Sequence, residues 1–586
     1  MSKIKLIAFL AFILVWNFET LAQQKVTLED VFKKNTFSQK SVQGINWMKD
    51  GQYYSSLIRT PSGSKVVKIN VETGEETGIL INGEALGVNF SSYAFNADES
   101  KALIASEVER IYRRSSKAVY HVVDLATGKA QELLDGEKIM YATLSPGNDK
   151  VAFVKENNLF IIELNTEKVI QITTDGKVNH VLNGAADWVY EEEFSMAKAF
   201  DWSPDGQKIA FIRFDESEVP EFNMQLWGKL YPQDYRFKYP KAGEANAKTS
   251  IHIYDLESKK TVKVDAGTDT DIYLPRIYWT GESNTLAFLR VNRLQNQIDL
   301  LYTDAQSGQS KVILEEKSKT YVDLNYNDDL RFLGEDRGFI RTSEQDGFKH
   351  IYHHDKAGKL IRQITSGNWE VTNLVGIDEK GKKIYYISTE ASPLERNLFV
   401  INMDGKNKKI LTPEKGTFSI NMSRDFKYYI ANFTNSDTPL KVTLNESSGK
   451  LVKVLEDNQE LKNRLSNFSL SGREFFTFNT VDGTLLNGYM IKPSNFDPNK
   501  KYPVLMYVYG GPDSQNVTNA WGGARDFWHQ HLAAEGNNVV CVDNRGTGAR
   551  GRDFKHLTYA NLGKLETEDQ IAGAKYLGTL GYVDAS

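Results

Sequence analysis

Three consecutive carboxylates follow a Trp and a Tyr in the sequence Asp-Trp-Val-Tyr-Glu-Glu-Glu-Phe at residues 187–194. Adjacent carboxylates repel each other and raise each other's pKa unless a cation lies between them. Glu191, Glu192 and Glu193 therefore favour a positively charged ligand. A solvated acidic helix face is the alternative interpretation, because charge runs are usually exposed.

A second motif with possible chemistry ends an apolar stretch at residues 502–509, where Tyr509 is followed by Gly-Gly-Pro. Glycines let the backbone approach a substrate carbonyl, and a Tyr hydroxyl can donate to a developing oxyanion. Tyr507 precedes Tyr509 by two residues and shares its strand face. Because Tyr509 is the one adjacent to Gly510 and Gly511, we interpret Tyr507 as a packing residue. An ordinary turn after a strand is the alternative.

The elements that must carry the acidic segment form a repeat from residue 46 to residue 480. Polar turns end β-rich runs and alternate with a second series of turns, with two hairpins per unit of roughly 40–50 residues. Turns of the first series lie at 70–76, 124–129, 163–168, 255–260, 304–309, 355–359, 403–407 and 445–450. The pattern predicts a β-propeller of eight four-stranded blades, with a pair of packed β-sandwiches as the competitor. The interval 168–255 is overlong and contains the acidic segment, so this blade carries an insertion.

The character of the chain changes after residue 480. An apolar strand at 502–509, a helix-like stretch near 524–535, a second strand at 538–543 and an amphipathic stretch at 565–580 follow in order. Strand–helix–strand–helix order predicts parallel pairing and an α/β domain. The Tyr-Gly-Gly-Pro turn after its first strand resembles the oxyanion-hole turn of α/β-hydrolases, so we expect the beginning of an α/β-hydrolase domain. Without further strands, both apolar strands are expected to be unpaired edges.

Composition and the N-terminus narrow the function classes. The 71 basic and 76 acidic residues are well mixed, so we expect no nucleic-acid partner. Residues 1–22 combine two lysines, an apolar run and a Thr-Leu-Ala end, as in a signal peptide, whereas an uncleaved anchor is the alternative. We expect export to the periplasm or outside a Gram-negative cell, with no membrane span after cleavage. The only cysteine, Cys541, excludes an internal disulfide.

Together these motifs resemble the dipeptidyl peptidase IV branch of the prolyl oligopeptidase family of serine peptidases. The resemblance covers nearly the whole chain after residue 22. Its most specific segments are residues 187–193 and 507–515, with supporting matches at 215–220, 239–243 and 543–548.

The resemblance implies a role for several residues. Glu192 and Glu193 would clamp the free α-ammonium of a peptide, while Glu191 would face outward or support the pair from behind. Arg113 would contact a substrate carbonyl, although Arg114 is an alternative match. Tyr509 would stabilise the oxyanion. The family further implies no metal or organic cofactor, and a homodimer formed partly through the inserted blade.

The catalytic triad of the family is not found in these 586 residues. No Gly-x-Ser-x-Gly occurs, and the last histidine is His556. We expect the nucleophile elbow just beyond Ser586, followed by Asp and His, so the chain alone is expected to be inactive. His529 and His531 precede any nucleophile and are interpreted as surface or packing residues.

The resulting prediction is a dipeptidyl peptidase that releases Xaa-Pro or Xaa-Ala dipeptides from peptides with a free N-terminus. Its expected parts are a signal peptide (1–22), an N-terminal arm (23–45), a propeller (46–480) and a hydrolase part (481–586) that stops before the nucleophile elbow. The alternatives are a related oligopeptidase or acylaminoacyl peptidase, and a non-catalytic peptide-binding propeller.

Overall fold

In the described residues, eight antiparallel sheets of four or five strands follow one another and precede one mixed sheet. The computed structural model describes residues 23–42, 44–324, 328–334 and 336–586. The expected signal peptide, residues 1–22, lies outside the described residues. No helix in these described ranges is long and apolar enough to cross a bilayer.

In the first three sheets, four consecutive strands pair in sequence order, while the fourth sheet has five strands and an added hairpin. The first sheet contains β1 (Asn46–Trp47), β2 (Tyr53–Thr60), β3 (Gly63–Asn70) and β4 (Glu76–Asn82). The second contains β5 (Phe90–Phe95), β6 (Lys101–Arg110), β7 (Ser116–Asp124) and β8 (Ala130–Glu132). The third contains β9 (Met140–Leu144), β10 (Lys150–Lys155), β11 (Asn158–Glu163) and β12 (Val169–Gln171). The fourth contains β13 (Val181–Asn183), β14 (Phe200–Trp202), β15 (Lys208–Asp215), β18 (Lys248–Asp255) and β19 (Lys260–Lys263), and its hairpin is β16 (Glu221–Leu226) with β17 (Gln233–Lys238).

The fifth to eighth sheets return to four strands in sequence order. The fifth contains β20 (Ile272–Trp279), β21 (Thr285–Asn292), β22 (Gln297–Asp304) and β23 (Ser310–Lys317). The sixth contains β24 (Leu330–Phe332), β25 (Phe339–Ser343), β26 (His350–His354) and β27 (Leu360–Gln363). The seventh contains β28 (Val371–Asp378), β29 (Lys383–Ser388), β30 (Asn397–Asn402) and β31 (Lys409–Ile410). The eighth contains β32 (Thr417–Met422), β33 (Tyr428–Asn435), β34 (Thr438–Glu446) and β35 (Leu451–Glu456).

The helices are short and lie mostly outside the eight sheets. They are α1 (Leu28–Phe32), α2 (Gly83–Leu86), α3 (Trp188–Glu193), α4 (Gln459–Leu465), α5 (Ala524–Ala534), α6 (Arg552–Lys555) and α7 (Lys564–Gly578). Single 3₁₀ turns occupy Leu134–Gly136 and His556–Thr558.

The eight sheets close into a ring, which confirms the eight-bladed propeller. Trp47 and Tyr54 of the first blade share one apolar core with Ile430 and Leu444 of the eighth. The indole of Trp47 also donates to the Asn421 carbonyl at 3.1 Å. Blades packed face to face bury their inner strands on both sides, as in β15, where five consecutive residues are buried.

The ninth sheet has the order β36 (Glu474–Asn479), β37 (Leu485–Ile491), β39 (Asn538–Asp543) and β38 (Val504–Tyr507). Strands β38 and β39 are parallel, as predicted, whereas β37 and β39 are antiparallel. Because β39 pairs on both sides, the expectation that it forms an unpaired edge is wrong. The turn at residues 480–484 joins β36 to β37, so this sheet begins before the expected boundary at residue 481.

Helices α5 and α7 cover opposite faces of this sheet. Met490 and Val540 pack with Leu577 of α7, whereas the neighbouring Tyr489 and Val539 pack with Ala533 of α5. This alternation follows from the two-residue period of a strand. The arrangement confirms the beginning of an α/β-hydrolase domain.

The N-terminal arm returns to the hydrolase side of the molecule. The ring of Phe37 stacks on Phe527 of α5 at 3.8 Å, and Val26 lies in the same apolar cluster. His531 Nδ1 lies 2.8 Å from the Val26 carbonyl. His531 is therefore engaged in packing the arm.

Candidate functional site

The acidic segment forms α3, which is held by its own N-cap and by two blades. The Asp187 carboxylate accepts the Tyr190 backbone N–H at 2.9 Å, a common way to satisfy a free donor in the first turn. The buried Tyr190 hydroxyl donates to Thr249 Oγ1 at 3.3 Å and accepts the Leu274 N–H at 2.8 Å. These contacts fix α3 against the fourth and fifth blades.

Glu191 is buried and faces the second blade, so the suggestion that it faces outward is wrong. Its carboxylate accepts the backbone N–H groups of Arg114 at 2.6 Å and Ser115 at 2.9 Å. The Arg114 guanidinium in turn donates to the Glu191 carbonyl and to Ser195 Oγ. A cation at the carboxyl end of a helix is favourable. Glu191 and Arg114 thus join α3 to the turn between β6 and β7.

This joint brings Arg113 beside the other two carboxylates. Arg113 Nε donates to Glu192 Oε2 at 2.8 Å, while Glu193 lies at the surface, where it lines a cavity. Partial desolvation of its carboxylate, together with the charge of Glu192, raises the pKa of Glu193. Two carboxylates and one guanidinium leave the group one negative charge when all are ionised. A single added cation would balance it.

Aromatic rings flank the acidic helix on the side of the inserted hairpin. The ring of Trp188 lies 4.5 Å from Tyr239, which follows β17, and 6.4 Å from Tyr112. Behind the helix, burial raises the pKa of Asp187 to about 7 and that of Glu216 to about 7. The supporting matches at 215–220 and 239–243 therefore pack around α3.

A cavity of about 430 Å³ extends from α3 to the hydrolase part. Glu193 and Phe194 line its propeller end, and Pro512 and Asp513 line its hydrolase end. Residues 321–324 and 558–560 also line the cavity. The cavity thus connects the acidic helix with the Gly-Gly-Pro turn.

The Gly-Gly-Pro turn begins where β38 ends, at Tyr507. Beyond that point the strand period no longer holds, and the two tyrosines differ: Tyr507 packs against His529, whereas Tyr509 is 70% exposed. Gly510 adopts φ +71° at the bend, a region that favours glycine. Tyr509, Gly510 and Gly511 border an apolar depression of about 620 Å³. A phenol and a glycine backbone are therefore presented to one open space.

Residues 543–548 hold this turn from behind, which sequence reasoning noted only as a family match. Asn544 Nδ2 donates to the Gly510 carbonyl at 3.0 Å, and the Asp513 N–H donates to the Gly546 carbonyl at 2.9 Å. The Asp543 carboxylate accepts the N–H of Val517 at 2.9 Å, and burial raises its pKa to about 6. The sequence signal that could have indicated this support is Asn544, a polar residue directly after the buried strand β39.

The remaining candidates carry no catalytic geometry. His529 is fully buried beside Trp528, and burial lowers its pKa. Burial also raises the pKa of Cys541 to about 12, so this thiol stays protonated. Across the described ranges, no three His, Cys, Asp or Glu side chains are grouped to hold a metal ion.

A propeller joined to a sheet with a Tyr-Gly-Gly-Pro turn defines the class of propeller-bearing α/β-hydrolases. Residues 96–440 match the family described as the dipeptidyl peptidase IV (DPP IV) N-terminal region, and residues 525–586 match the prolyl oligopeptidase family. The chain belongs to the dipeptidyl peptidase IV branch of the prolyl oligopeptidase family.

Individual relatives agree with this assignment. The chain is 30% identical to a dipeptidyl peptidase 4 from Trichophyton rubrum over 576 residues, which are 94% of this chain and 72% of that protein. The crystal structure of Porphyromonas gingivalis dipeptidyl peptidase 4 is similar with a TM-score of 0.91 and 38% identity. That match covers 96% of this chain and 80% of the other.

Proposed function

We propose that the protein is a serine-type dipeptidyl peptidase that releases dipeptides from free peptide N-termini, with Pro or Ala preferred at the second position. The observation that carries the proposal is the net negative group that Glu192 and Glu193 of α3 form with Arg113 of the β6–β7 turn. It lies at one end of the cavity whose other end is the Gly-Gly-Pro turn.

An α-ammonium group suits this end of the cavity. It brings one positive charge and three hydrogen-bond donors to two carboxylates. Arg113 would then donate to the first peptide carbonyl while it remains beside Glu192. Because the amino terminus is held at one fixed point, the distance to the reacting carbonyl sets the length of the product.

Tyr509 is proposed to donate its hydroxyl to the oxyanion, since the residue is exposed and borders the same depression as Gly510. Attack by a serine would give an acyl-enzyme. No Gly-x-Ser-x-Gly occurs in the 586 residues. The proposal therefore assigns the Ser, Asp and His of the triad to sequence outside these residues.

The hairpin β16–β17 is proposed to join two copies of the protein. Trp227, Leu230 and Tyr231 at its tip are 76%, 91% and 80% exposed. Large exposed apolar side chains in one patch are typical of interaction sites. The sequence of residues 1–22 supports export to the periplasm or beyond.

Two other functions make different predictions. A related oligopeptidase or acylaminoacyl peptidase has no need of an ammonium clamp, so it would accept blocked peptides. A non-catalytic propeller would bind free N-termini without any hydrolysis by the full-length gene product. The acidic group on α3 favours the dipeptidyl peptidase over the first of these.

Peptide binding tests the clamp separately from catalysis. We expect an Ala-Pro peptide to change the fluorescence of Trp188, and an N-acetylated copy to bind roughly 100-fold more weakly, because a charge pair is lost. Glu193→Gln should weaken binding of the free peptide to a similar degree. Glu218→Gln, an exposed carboxylate in the same blade, is the matched control and should leave affinity unchanged. Equal binding of free and acetylated peptides would rule out the clamp.

Hydrolysis tests the proposed reaction. The full-length gene product should release p-nitroaniline from Ala-Pro-p-nitroanilide and leave the acetylated substrate intact. Release from both substrates at equal rates would favour an acylaminoacyl peptidase or oligopeptidase. Binding without release would favour the non-catalytic propeller.

A further inference from the structure

A buried lysine crosses the boundary between the propeller and the hydrolase part. Lys555, the last residue of α6, is 2% exposed. Its ammonium donates to Asp323 Oδ2 at 3.0 Å and lies 3.1 Å from Glu344 Oε1. Both carboxylates belong to the propeller, one after β23 and one after β25. The lysine is therefore an ionic link between the two parts.

The same hydrolase segment makes further contacts with the propeller. The Gly551 N–H donates to Glu370 Oε1 at 2.5 Å, and the Arg552 N–H donates to the Gly347 carbonyl at 2.8 Å. His556 Nδ1 lies 2.5 Å from Thr320 Oγ1. Backbone donors and side chains of residues 551–556 thus fix this segment against the fifth, sixth and seventh blades.

Lys555 is the cation between the two carboxylates of Asp323 and Glu344 in the contact between the propeller and the hydrolase part. Glu344 is 3% exposed, and Asp323 is partly buried. Their charges hold Lys555 in the protonated state and keep its pKa high despite burial. Removing the lysine would leave buried carboxylates without their cation, which is strongly unfavourable. The two chain segments are expected to separate or shift when the cation is lost.

These segments also line the proposed substrate cavity. Asp323 lines it from the propeller, and Thr558, three residues after Lys555, lines it from the hydrolase part. Glu193 of α3 and Pro512 of the Gly-Gly-Pro turn line the same cavity. A shift of the two linked segments relative to each other should therefore change the spacing between the acidic helix and the Gly-Gly-Pro turn.

We propose that Lys555 is a positioning residue that sets the distance between the acidic helix and the oxyanion turn. The effect of this distance on the substrate rests on the proposed function, in which two substrate residues fit between the clamp and the reacting carbonyl. Lys555 itself touches neither end of the substrate. Its effect should therefore fall on the rate of reaction and spare the binding of the amino terminus.

The test compares Lys555→Met with Lys349→Met in the full-length gene product. Lys349 is 3% exposed and pairs with Asp329 at 3.1 Å, but both lie in the sixth blade. We expect both variants to have a lower Tm. Lys555→Met should lower kcat for Ala-Pro-p-nitroanilide by roughly 10- to 100-fold, as for a small misplacement of reacting groups, with little change in KM. Lys349→Met should retain the parent kcat.

A distance measurement decides the inference without any activity. Spin labels are attached to cysteines introduced by Leu294→Cys in the fifth blade and Val481→Cys in the hydrolase part, and the distance between the two labels is measured. Both positions are exposed, whereas the native Cys541 is buried and should not be labelled. Lys555→Met should shift or broaden the distribution of label distances, and Lys349→Met should not. If Lys555→Met does not fold, Lys555→Met/Glu344→Gln, with one buried carboxylate fewer, provides the same readout.

The outcomes separate the two proposals. An unchanged label distance in Lys555→Met overturns the positioning role, whatever the activity. A parent enzyme that releases no dipeptide overturns the proposed function, while a shifted distance still supports the role of Lys555 in spacing the two parts.

Discussion

The acidic helix and the Gly-Gly-Pro turn lie at opposite ends of one cavity and are built differently. Helix α3 is held by buried side chains: Asp187 caps it, Tyr190 contacts two blades, and Glu191 binds the turn of a third. The turn at the other end presents Tyr509 largely to solvent. Its Gly510 carbonyl is held by one side chain, Asn544.

The difference separates two kinds of substitution. Side chains behind α3 determine where the carboxylates lie, so under the proposed function changes there should act on the affinity for an amino terminus. Side chains at the turn position the proposed oxyanion donor, so changes there should act on kcat. Three substitutions test this division, in order of decreasing effect, and a fourth tests the burial of the helix cap.

The largest effect is expected at the exposed end. Tyr509→Phe removes the hydroxyl proposed to donate to the oxyanion, and kcat should fall roughly 100- to 1,000-fold. Steady-state kinetics with Ala-Pro-p-nitroanilide measure this, and peptide binding should be unchanged. Tyr507→Phe is the matched control two residues earlier, and should retain most activity. Equal losses in both variants would contradict the assignment of Tyr509.

A smaller effect is expected behind the acidic helix. Glu191→Ala leaves the N–H groups of Arg114 and Ser115 without their acceptor, so Arg113 should lose its fixed place. The affinity for a free Ala-Pro peptide should fall roughly 10-fold, with a loss of about 2 kcal/mol in the free energy of unfolding. Calorimetric titration and denaturant unfolding measure the two changes. Unchanged affinity at reduced stability would show that Glu191 has no part in placing the clamp.

A comparable or smaller effect is expected for the side chain that supports the Gly-Gly-Pro turn, and it should appear in kcat alone. Asn544→Ala removes the donor to the Gly510 carbonyl, and kcat should fall about 10-fold because the turn is less well placed. Asn537→Ala, which removes a similar side-chain donor to the Leu532 carbonyl, is the control. An effect of Asn544→Ala on KM alone would break the division between the two ends.

The smallest effect concerns the pH dependence of stability. Burial raises the pKa of Asp187 in the folded state from 3.8 to about 7. The folded state then binds this proton more tightly than the unfolded state, so the stabilisation is full below pH 4 and is lost as the pH rises through about 7. Asp187→Asn keeps a capping acceptor, and its Tm should fall less between pH 5 and pH 8. Parallel curves for parent and variant would contradict the raised pKa.

Much of the architecture could be predicted because it depends on local patterns. Turns such as residues 203–206 recur at a regular spacing, and each is closed by its own side chains: Ser203 Oγ accepts the Lys208 N–H, and Gly206 adopts φ +68°. The order of strands and helices after residue 480 likewise indicated a parallel pair. The acidic triplet stood out because adjacent like charges are unfavourable without a cation.

The roles within each motif could not be separated in this way. Sequence alone offered both Arg113 and Arg114 for the substrate contact, and it left open whether Glu191 faces outward or supports the acidic pair from behind. Which arginine reaches the acidic pair depends on how the second blade approaches α3. Lys555 gave no sequence signal, since its partners Asp323 and Glu344 lie more than 200 residues away.

The sequence alone predicts the eightfold repeat, the α/β character of the part after residue 480, and a run of three carboxylates beside aromatic residues that favours a cation. These follow from periodicity and from the chemistry of neighbouring residues. Only the tertiary structure shows that Glu191 is an internal anchor, that β39 lies inside its sheet, and that a buried lysine links the propeller to the hydrolase part. Such roles depend on burial and on contacts between distant residues, which arise only when the chain has folded.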